Sequence, residues 1–152
     1  MPRRVQTFEV SLKAFIRRGD RALLVQEADT GYWELPGGRI DAGEEWQDHA
    51  AILARELAEE LGAGFRVEIG TRAVSLVRQR PADGVFQFIV VRVCTAPAGE
   101  PRLSAEHAAF RWVSRDEALG LALPPQSSFP AALTALWALG GGPGRPRTRD
   151  RD

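Results

Sequence analysis

The segment from Trp33 to Ala63, WELPGGRIDAGEEWQDHAAILARELAEELGA, constrains the fold more strongly than any other part of the chain. Two glycines close a short apolar alternation, and a helical pattern follows from about Trp46 to Leu61. Its apolar residues recur at the i, i+3 and i+4 spacing of a helix that packs on one side. They are Ala50, Leu53, Ala54, Leu57 and Leu61. Gly62 and Gly64, directly after this pattern, predict the end of the helix.

The same helix carries three glutamates along the edge that adjoins its apolar face. At 100° per residue, Glu60 lies at about +40° and Glu59 at about −60° from Glu56. Like charges one turn apart cost about a few tenths of a kcal/mol, whereas a hard divalent cation binds such oxygen ligands. The helix alone leaves two interpretations open. The edge binds a metal, or it is a solvated acidic surface on which Arg55 pairs with Glu59.

The rest of the chain predicts strands on both sides of this helix. The predicted strands cover residues 5–17, 21–26, 65–80, 85–95 and 110–114. A short helix with Ser114 as its N-cap and a final amphipathic helix at residues 127–139 follow them. Because hairpins alternate with helical crossovers, we expect an α/β sandwich around a mixed sheet. The apolar-poor tail, residues 140–152, is expected to be disordered.

Composition favours an ordinary globular enzyme or binding domain of 152 residues. The formal net charge is zero, which argues against a large nucleic-acid footprint. Cys94 is the only cysteine, so no disulfide forms within the chain. The N-terminus lacks the apolar region of a signal peptide, and no apolar run approaches about 18–20 residues. We therefore expect a cytoplasmic protein that has no membrane partner.

The residues around the acidic helix resemble the signature of the Nudix hydrolases, GX5EX7REUXEEXGU, in which U is a bulky aliphatic residue. The chain has Gly38, five residues, Glu44, and later RELAEELGA from Arg55 to Ala63. The resemblance covers roughly residues 5–139. It implies a Nudix-type α/β/α sandwich with a central mixed sheet, in a domain spanning residues 1–139.

Two features depart from the family pattern. Ten residues separate Glu44 from Arg55 where the family has seven, and Ala63 replaces a larger aliphatic residue. Three extra residues amount to about 300° of helix, so they add nearly one helical turn or widen the loop. The spacing from Arg55 onward is intact. The open question is how Glu44 and the Gly37 carbonyl reach the helix.

The resemblance implies hydrolysis of a nucleoside diphosphate linked to another group, with Mg²⁺ or Mn²⁺ as cofactor. Clustered carboxylates would hold cations that neutralise phosphate charge and acidify water. The implied metal ligands are Glu56, Glu59, Glu60 and the Gly37 carbonyl, with one glutamate doubling as base. Glu44 and Arg55 would organise the loop and the helix.

A distal glutamate is also implied. Glu106, in SAEHAAFRW, matches the position from which many family members supply a further metal ligand or base. The alternative is a solvated loop residue before the strand at Phe110. We interpret the neighbouring His107 as a loop histidine and His49 as a surface residue.

Three side chains are candidate substrate contacts. Arg78 and Arg80 lie near a strand end before the PADG turn and would contact phosphates, although arginine is abundant in this chain. Trp33 would stack on a base, or it packs beside the tight turn.

Marker residues of several Nudix subfamilies are missing downstream of the signature. The region LVRQR lacks the proline typical of ADP-ribose hydrolases and the tyrosine typical of dinucleoside polyphosphate hydrolases. The proline-tryptophan motif of NADH-specific members is also absent. These absences favour a nucleoside triphosphate, either intact or oxidised or otherwise damaged, over a nucleotide sugar. Hydrolysis would yield a nucleoside monophosphate and pyrophosphate. A nucleotide sugar, an RNA 5′ end, or a non-catalytic nucleotide sensor are the alternatives, and a homodimer is left open.

Overall fold

The computed structural model describes residues 1–139, in which seven strands and three helices are found. The expected disorder of residues 140–152 lies outside the described residues. The strands are β1 (Glu9–Arg18), β2 (Arg21–Glu27), β3 (Trp33–Glu34), β4 (Gly37–Arg39), β5 (Glu68–Gln79), β6 (Phe86–Thr95) and β7 (His107–Val113). The helices are α1 (His49–Leu61), α2 (Arg115–Leu119) and α3 (Phe129–Ala138). No helix among residues 1–139 is long and apolar enough to cross a membrane.

The seven strands form one mixed sheet. Its main order is β3-β2-β1-β6-β5, while β4 pairs with β1 and β7 pairs with β2. The central strands β1 and β6 are parallel, from Glu9 opposite Gln87 to Arg17 opposite Thr95. The other strand pairs run antiparallel. The expected mixed sheet is confirmed, because β1 is a parallel neighbour on one side and an antiparallel neighbour on the other.

Both faces of the sheet are covered, which produces the expected α/β/α sandwich. Along β1, Leu12, Ala14 and Ile16 join the core beneath α1, whereas Phe15 joins the core beneath α2 and α3. Trp137 of α3 meets the Phe15 ring edge-on, with a centroid distance of 4.8 Å. Strands buried on both faces must be apolar at consecutive positions, which explains the runs seen in β1 and β2.

Helix α1 begins three residues later than the sequence pattern predicts. The Asp48 side chain caps it by accepting a hydrogen bond from the Ala51 N–H at 3.2 Å. The additional residues therefore widen the loop before the helix and do not lengthen the helix.

The buried face of α1 also differs from the expected one. Ile52 is buried and Ala54 is exposed, contrary to the predicted apolar stripe. At about −40° from Glu56, Ile52 lies on the acidic side of the stripe. The buried sector is therefore rotated towards the glutamates and includes Glu60. This rotation places a carboxylate inside the protein.

Two predicted helix ends are confirmed. Gly62 follows α1 with a φ of 86°, a left-handed conformation that favours glycine. Ser114 caps α2 through a capping box, in which its hydroxyl accepts from the Glu117 N–H and the Glu117 side chain accepts from the Ser114 N–H.

Candidate active site

An open cleft of about 1020 Å³ lies beside the acidic edge of α1. Its walls include α1, the turn between β3 and β4, the end of β5, and the loop that enters β7. The predicted residues that line it are Gly37, Arg55, Glu56, Glu59, Glu60, Arg78, Arg80 and Glu106. The fold thus brings eight separately predicted residues to one surface.

The glycine turn touches two of the glutamates. The Gly37 N–H donates a hydrogen bond to Glu60 Oε2 at 2.9 Å. A Cβ at Gly38 would overlap the Glu56 carboxylate, and one at Gly37 would overlap the backbone of Leu12. The Gly37 carbonyl accepts a hydrogen bond from Lys13 Nζ at 3.4 Å. Glycine is therefore required at Gly37 for the turn to lie against β1, whereas a side chain at Gly38 would displace the Glu56 carboxylate.

Burial perturbs two of the helix carboxylates. Glu60 is only 6% exposed, and this burial raises its pKa to about 6 against the opposing effects of Lys13 and the Gly37 N–H. Burial also raises the pKa of Glu56, although the charge of Arg55 opposes it. Glu59 is exposed. A cation at this edge would favour the ionised carboxylates that burial disfavours.

Arg55 connects the loop to the acidic edge. Its guanidinium lies 2.6 Å from Glu44 Oε2, 3.3 Å from Glu56 Oε1 and 3.2 Å from Glu59 Oε1. Glu44 also accepts a hydrogen bond from the Asp41 N–H at 3.1 Å. The wider loop therefore still returns Glu44 to the helix, and the three extra residues do not separate them.

The loop before β7 is fixed to the end of α1 by backbone hydrogen bonds. The Arg102 N–H donates to the Leu61 carbonyl at 2.8 Å, and the Ser104 N–H donates to the Glu60 carbonyl at 3.1 Å. These bonds satisfy carbonyls that the helix leaves free at its end. They also bring Glu106 to Glu60.

Glu60, Glu106 and His107 form a compact group. One potential ligand atom from each residue lies within 4.8 Å of the other two. His107 is 9% exposed and is the first residue of β7, so its interpretation as a loop histidine is wrong. Pairing of His107 with Glu27 at a bulge in the sheet holds it there. His49 is exposed at the start of α1, as expected.

A buried charge network that the sequence analysis missed lies at the base of the cleft. Lys13 Nζ lies 3.4 Å from Glu34 Oε1, and Arg78 Nη1 lies 3.4 Å from Glu34 Oε2. Burial alone would raise the pKa of Glu34, but Lys13 and its other neighbours lower it to about 2. The available signal was Lys13, the only lysine, which interrupts an apolar run from Leu12 to Ile16.

Of the three predicted substrate contacts, two line the cleft and one does not. Arg78 is 8% exposed and pairs with Glu27 at 3.2 Å and with Glu34, while its Nε has no hydrogen-bond partner within residues 1–139. Arg80 pairs with Asp83 at 2.8 Å and with Glu9 at 3.3 Å. Trp33 packs against the core and is not among the residues that line the cleft. The structure therefore brings both arginines to the site and leaves the tryptophan outside it.

Comparisons with known proteins agree with this geometry. The NUDIX domain model matches residues 7–136. A MutT-like protein from Streptomyces ambofaciens is 34% identical over 102 residues, which cover 67% of this chain and 60% of that protein. A putative 8-oxo-dGTP diphosphatase 2 from Mycobacterium tuberculosis is 36% identical over 118 residues, which cover 72% of this chain and 75% of that protein.

A solved structure supports the same assignment. An ADP-ribose pyrophosphatase from Streptococcus suis superposes with a TM-score of 0.64 at 27% identity, covering 88% of this chain and 92% of that one. The family model spans most of the chain, including the Gly37–Gly38 turn, the acidic helix and Glu106. The chain belongs to the NUDIX domain family, and it is a pyrophosphohydrolase of that family.

Proposed function

We propose that this chain hydrolyses a nucleoside triphosphate, with an oxidised one such as 8-oxo-dGTP preferred, to a nucleoside monophosphate and pyrophosphate. We further propose that the reaction requires Mg²⁺ or Mn²⁺. The observation that carries the proposal is the buried Glu60 carboxylate, which Glu56, Glu106 and the glycine turn surround in one cleft. The 36% identity to a putative 8-oxo-dGTP diphosphatase and the missing subfamily markers support this choice of substrate.

The residues at the acidic edge fit a divalent cation. Carboxylate oxygens are the donors that Mg²⁺ and Mn²⁺ prefer. Glu60 has one backbone N–H partner and a pKa raised by burial, so its charge is incompletely compensated by the protein. The cation, when bound, supplies charge for the phosphate oxygens and lowers the pKa of a water molecule.

The side chains of the site would bind the cation, position its ligands and accept a proton. Glu56, Glu60 and Glu106 would hold the cation, and Glu59 would join them from the exposed side of the helix. Arg55 keeps Glu44, Glu56 and Glu59 in place through three ion pairs. One of these carboxylates accepts the proton of the attacking water as general base.

Arg78 and Arg80 would stabilise charge on the phosphates. Both line the same cleft as the acidic helix, and Arg78 Nε, which has no partner in the described part of the chain, leaves one hydrogen bond to donate. Glu34 pairs with both Lys13 and Arg78, and this pairing would fix the position of the donor before the substrate arrives. A fixed donor of this kind favours the transition state of phosphoryl transfer.

A substrate panel tests the proposal. It contains the nucleoside triphosphates, 8-oxo-dGTP, nucleotide sugars, ADP-ribose, dinucleoside polyphosphates and a 5′-triphosphate RNA, each assayed with Mg²⁺, Mn²⁺ or EDTA. We expect 8-oxo-dGTP to give the highest kcat/KM, and EDTA to abolish the reaction. A higher kcat/KM for another compound would contradict the proposed substrate. Nucleotide binding without turnover would contradict the proposed hydrolysis and indicate a nucleotide sensor.

Matched glutamine variants locate the activity. Glu60→Gln should abolish hydrolysis, whereas Glu68→Gln, at an exposed position on β5 that does not line the cleft, should leave it unchanged. Equal activity in the two variants would contradict the assignment of the site.

A further inference from the structure

We propose that His107 is a ligand of the divalent cation, binding it through Nδ1 beside Glu60 and Glu106. The inference rests on the proposed function, because it concerns the cation which that function requires. It adds a nitrogen ligand to a site otherwise built from oxygen atoms. Two independent observations support it: the three side chains lie close together, and the buried Nδ1 of the imidazole has no hydrogen-bond partner among residues 1–139.

The three side chains are close enough to share one ion. Their potential ligand atoms lie within 4.8 Å of one another. An ion at the centre of an equilateral triangle with this side lies about 2.8 Å from each corner, and metal–ligand distances are about 2.1 Å. Small rotations of the side chains would close this difference. Glu106 is exposed and is free to make such a rotation.

The imidazole has a buried nitrogen without a partner. The His107 side chain is 5% exposed, and its Nδ1 has no hydrogen-bond partner among the described residues. Buried polar nitrogens nearly always have a partner, and an exception calls for a specific explanation. A cation that His107 binds through Nδ1 would supply the missing partner.

The second imidazole nitrogen lies near a carboxylate, at a distance that exceeds a direct hydrogen bond. Nε2 lies 4.0 Å from Glu34 Oε1, and Lys13 and Arg78 fix that carboxylate. Histidines that bind metals usually direct their other N–H towards a carboxylate, which sets the tautomer and the ring orientation. Glu34 would thus be a positioning residue for His107, and it would act through the imidazole without touching the cation.

A nitrogen ligand affects the choice of metal. Mg²⁺ binds oxygen ligands almost exclusively, while imidazole suits first-row transition metals. The inferred His107 ligand therefore favours Mn²⁺ over Mg²⁺. Replacement of His107 should reduce this preference while leaving the carboxylate ligands in place.

The test measures Mn²⁺ coordination directly, with no nucleotide present. Pulsed electron paramagnetic resonance of bound Mn²⁺ detects a directly coordinated ¹⁴N nucleus. We expect this coupling in the wild type and in His49→Ala, and its loss in His107→Ala. The chain has two histidines, so the His49→Ala spectrum assigns the nitrogen even if His107→Ala does not fold. The Kd for Mn²⁺ should rise about tenfold to 100-fold in His107→Ala.

The outcomes separate this inference from the proposed function. Bound Mn²⁺ without a ¹⁴N coupling, or with a coupling that disappears in His49→Ala, overturns the role of His107 and leaves metal-dependent hydrolysis standing. Failure of the wild type to bind Mn²⁺ overturns both. A change in the ratio of Mn²⁺ to Mg²⁺ affinity in His107→Ala, absent in His49→Ala, supports the ligand role.

Discussion

The Gly37 N–H donates a hydrogen bond to Glu60 Oε2 across 2.9 Å, and this bond joins β4 to the last turn of α1. It connects the glycine turn to the acidic helix, across 23 positions of the chain. Glu60 is thereby held inside the protein with its carboxylate at the cleft. The hydrogen bond from Gly37 therefore favours the ionised Glu60 carboxylate, which burial disfavours.

The closeness of Gly38 to Glu56 predicts that Gly38→Ala damages the site. The added Cβ would overlap the Glu56 carboxylate and must displace it. We expect about a tenfold or larger fall in kcat/KM, because small displacements of catalytic groups are costly. Gly64→Ala is the matched control, since a Cβ there meets nothing within 4 Å. Steady-state kinetics of both variants measure this effect. Wild-type activity in Gly38→Ala would show that the close approach of Gly38 to Glu56 is unimportant for catalysis.

Arg55→Lys should reduce activity while changing thermal stability little. Arg55 contacts three carboxylates, and a lysine ammonium cannot reproduce the planar fork that reaches Glu44 and Glu59 together. We expect kcat to fall by about tenfold, with Tm nearly unchanged because these pairs are at the surface. Arg66→Lys, at an exposed arginine outside the cleft, is the control. A loss of Tm as large as the loss of activity would assign Arg55 a mainly structural role.

Glu34→Gln should destabilise the protein in a pH-dependent manner. The pKa of Glu34 is about 2 in the folded protein against an ordinary value of 4.5. Its contribution to stability is therefore present above about pH 4.5 and is lost as the pH falls towards 2. At pH 7 the variant leaves Lys13 and Arg78 without their shared partner, and we expect a cost of about 3 kcal/mol.

Urea unfolding of the wild type and Glu34→Gln at pH 7 and at pH 3 checks this prediction. The difference between their free energies of unfolding should shrink at the lower pH. A difference that is the same at both values would mean that the Glu34 charge is not the stabilising feature.

Glu60→Gln should behave in the opposite way without metal. Because burial raises the pKa of Glu60 to about 6, its contribution to stability is present below pH 4.5 and is lost as the pH rises through 6. At pH 8 in EDTA the variant should be at least as stable as the wild type. Thermal unfolding at pH 5 and pH 8 measures this, with Glu68→Gln as control. Marked destabilisation at pH 8 would indicate that the folded protein already compensates the Glu60 charge.

The local parts of the site were predictable from the sequence because they lie on one helix. The spacing of Glu56, Glu59 and Glu60 fixes their common edge whatever surrounds it. Burial of Glu60 and Ile52 was not predictable, because the rotation of α1 depends on packing against the sheet. The predicted apolar stripe included Ala50 and Ala54 and omitted Ile52, so it placed the buried face too far from the glutamates.

The long-range parts of the site depend on contacts that leave little trace in the sequence. Glu106 matches a family position, but its approach to Glu60 depends on backbone bonds from Arg102 and Ser104 to the end of α1. The charge network of Lys13, Glu34 and Arg78 joins three separate strands. Neither hydrophobic periodicity nor a local motif predicts ion pairs between strands that are distant in the sequence. The burial of His107 was not predictable for the same reason, because it depends on the pairing of β7 with β2.

The role of the buried Glu60 is tested by kcat/KM for 8-oxo-dGTP hydrolysis with Mn²⁺, measured in the wild type and in Glu60→Gln. We expect a fall of about 10³-fold or more in the variant, since a lost carboxylate ligand removes charge stabilisation at the reacting phosphate. The variant's unfolding transition in EDTA should be intact. A folded Glu60→Gln that retains activity within about tenfold of wild type would contradict the claim that this buried carboxylate holds the catalytic cation.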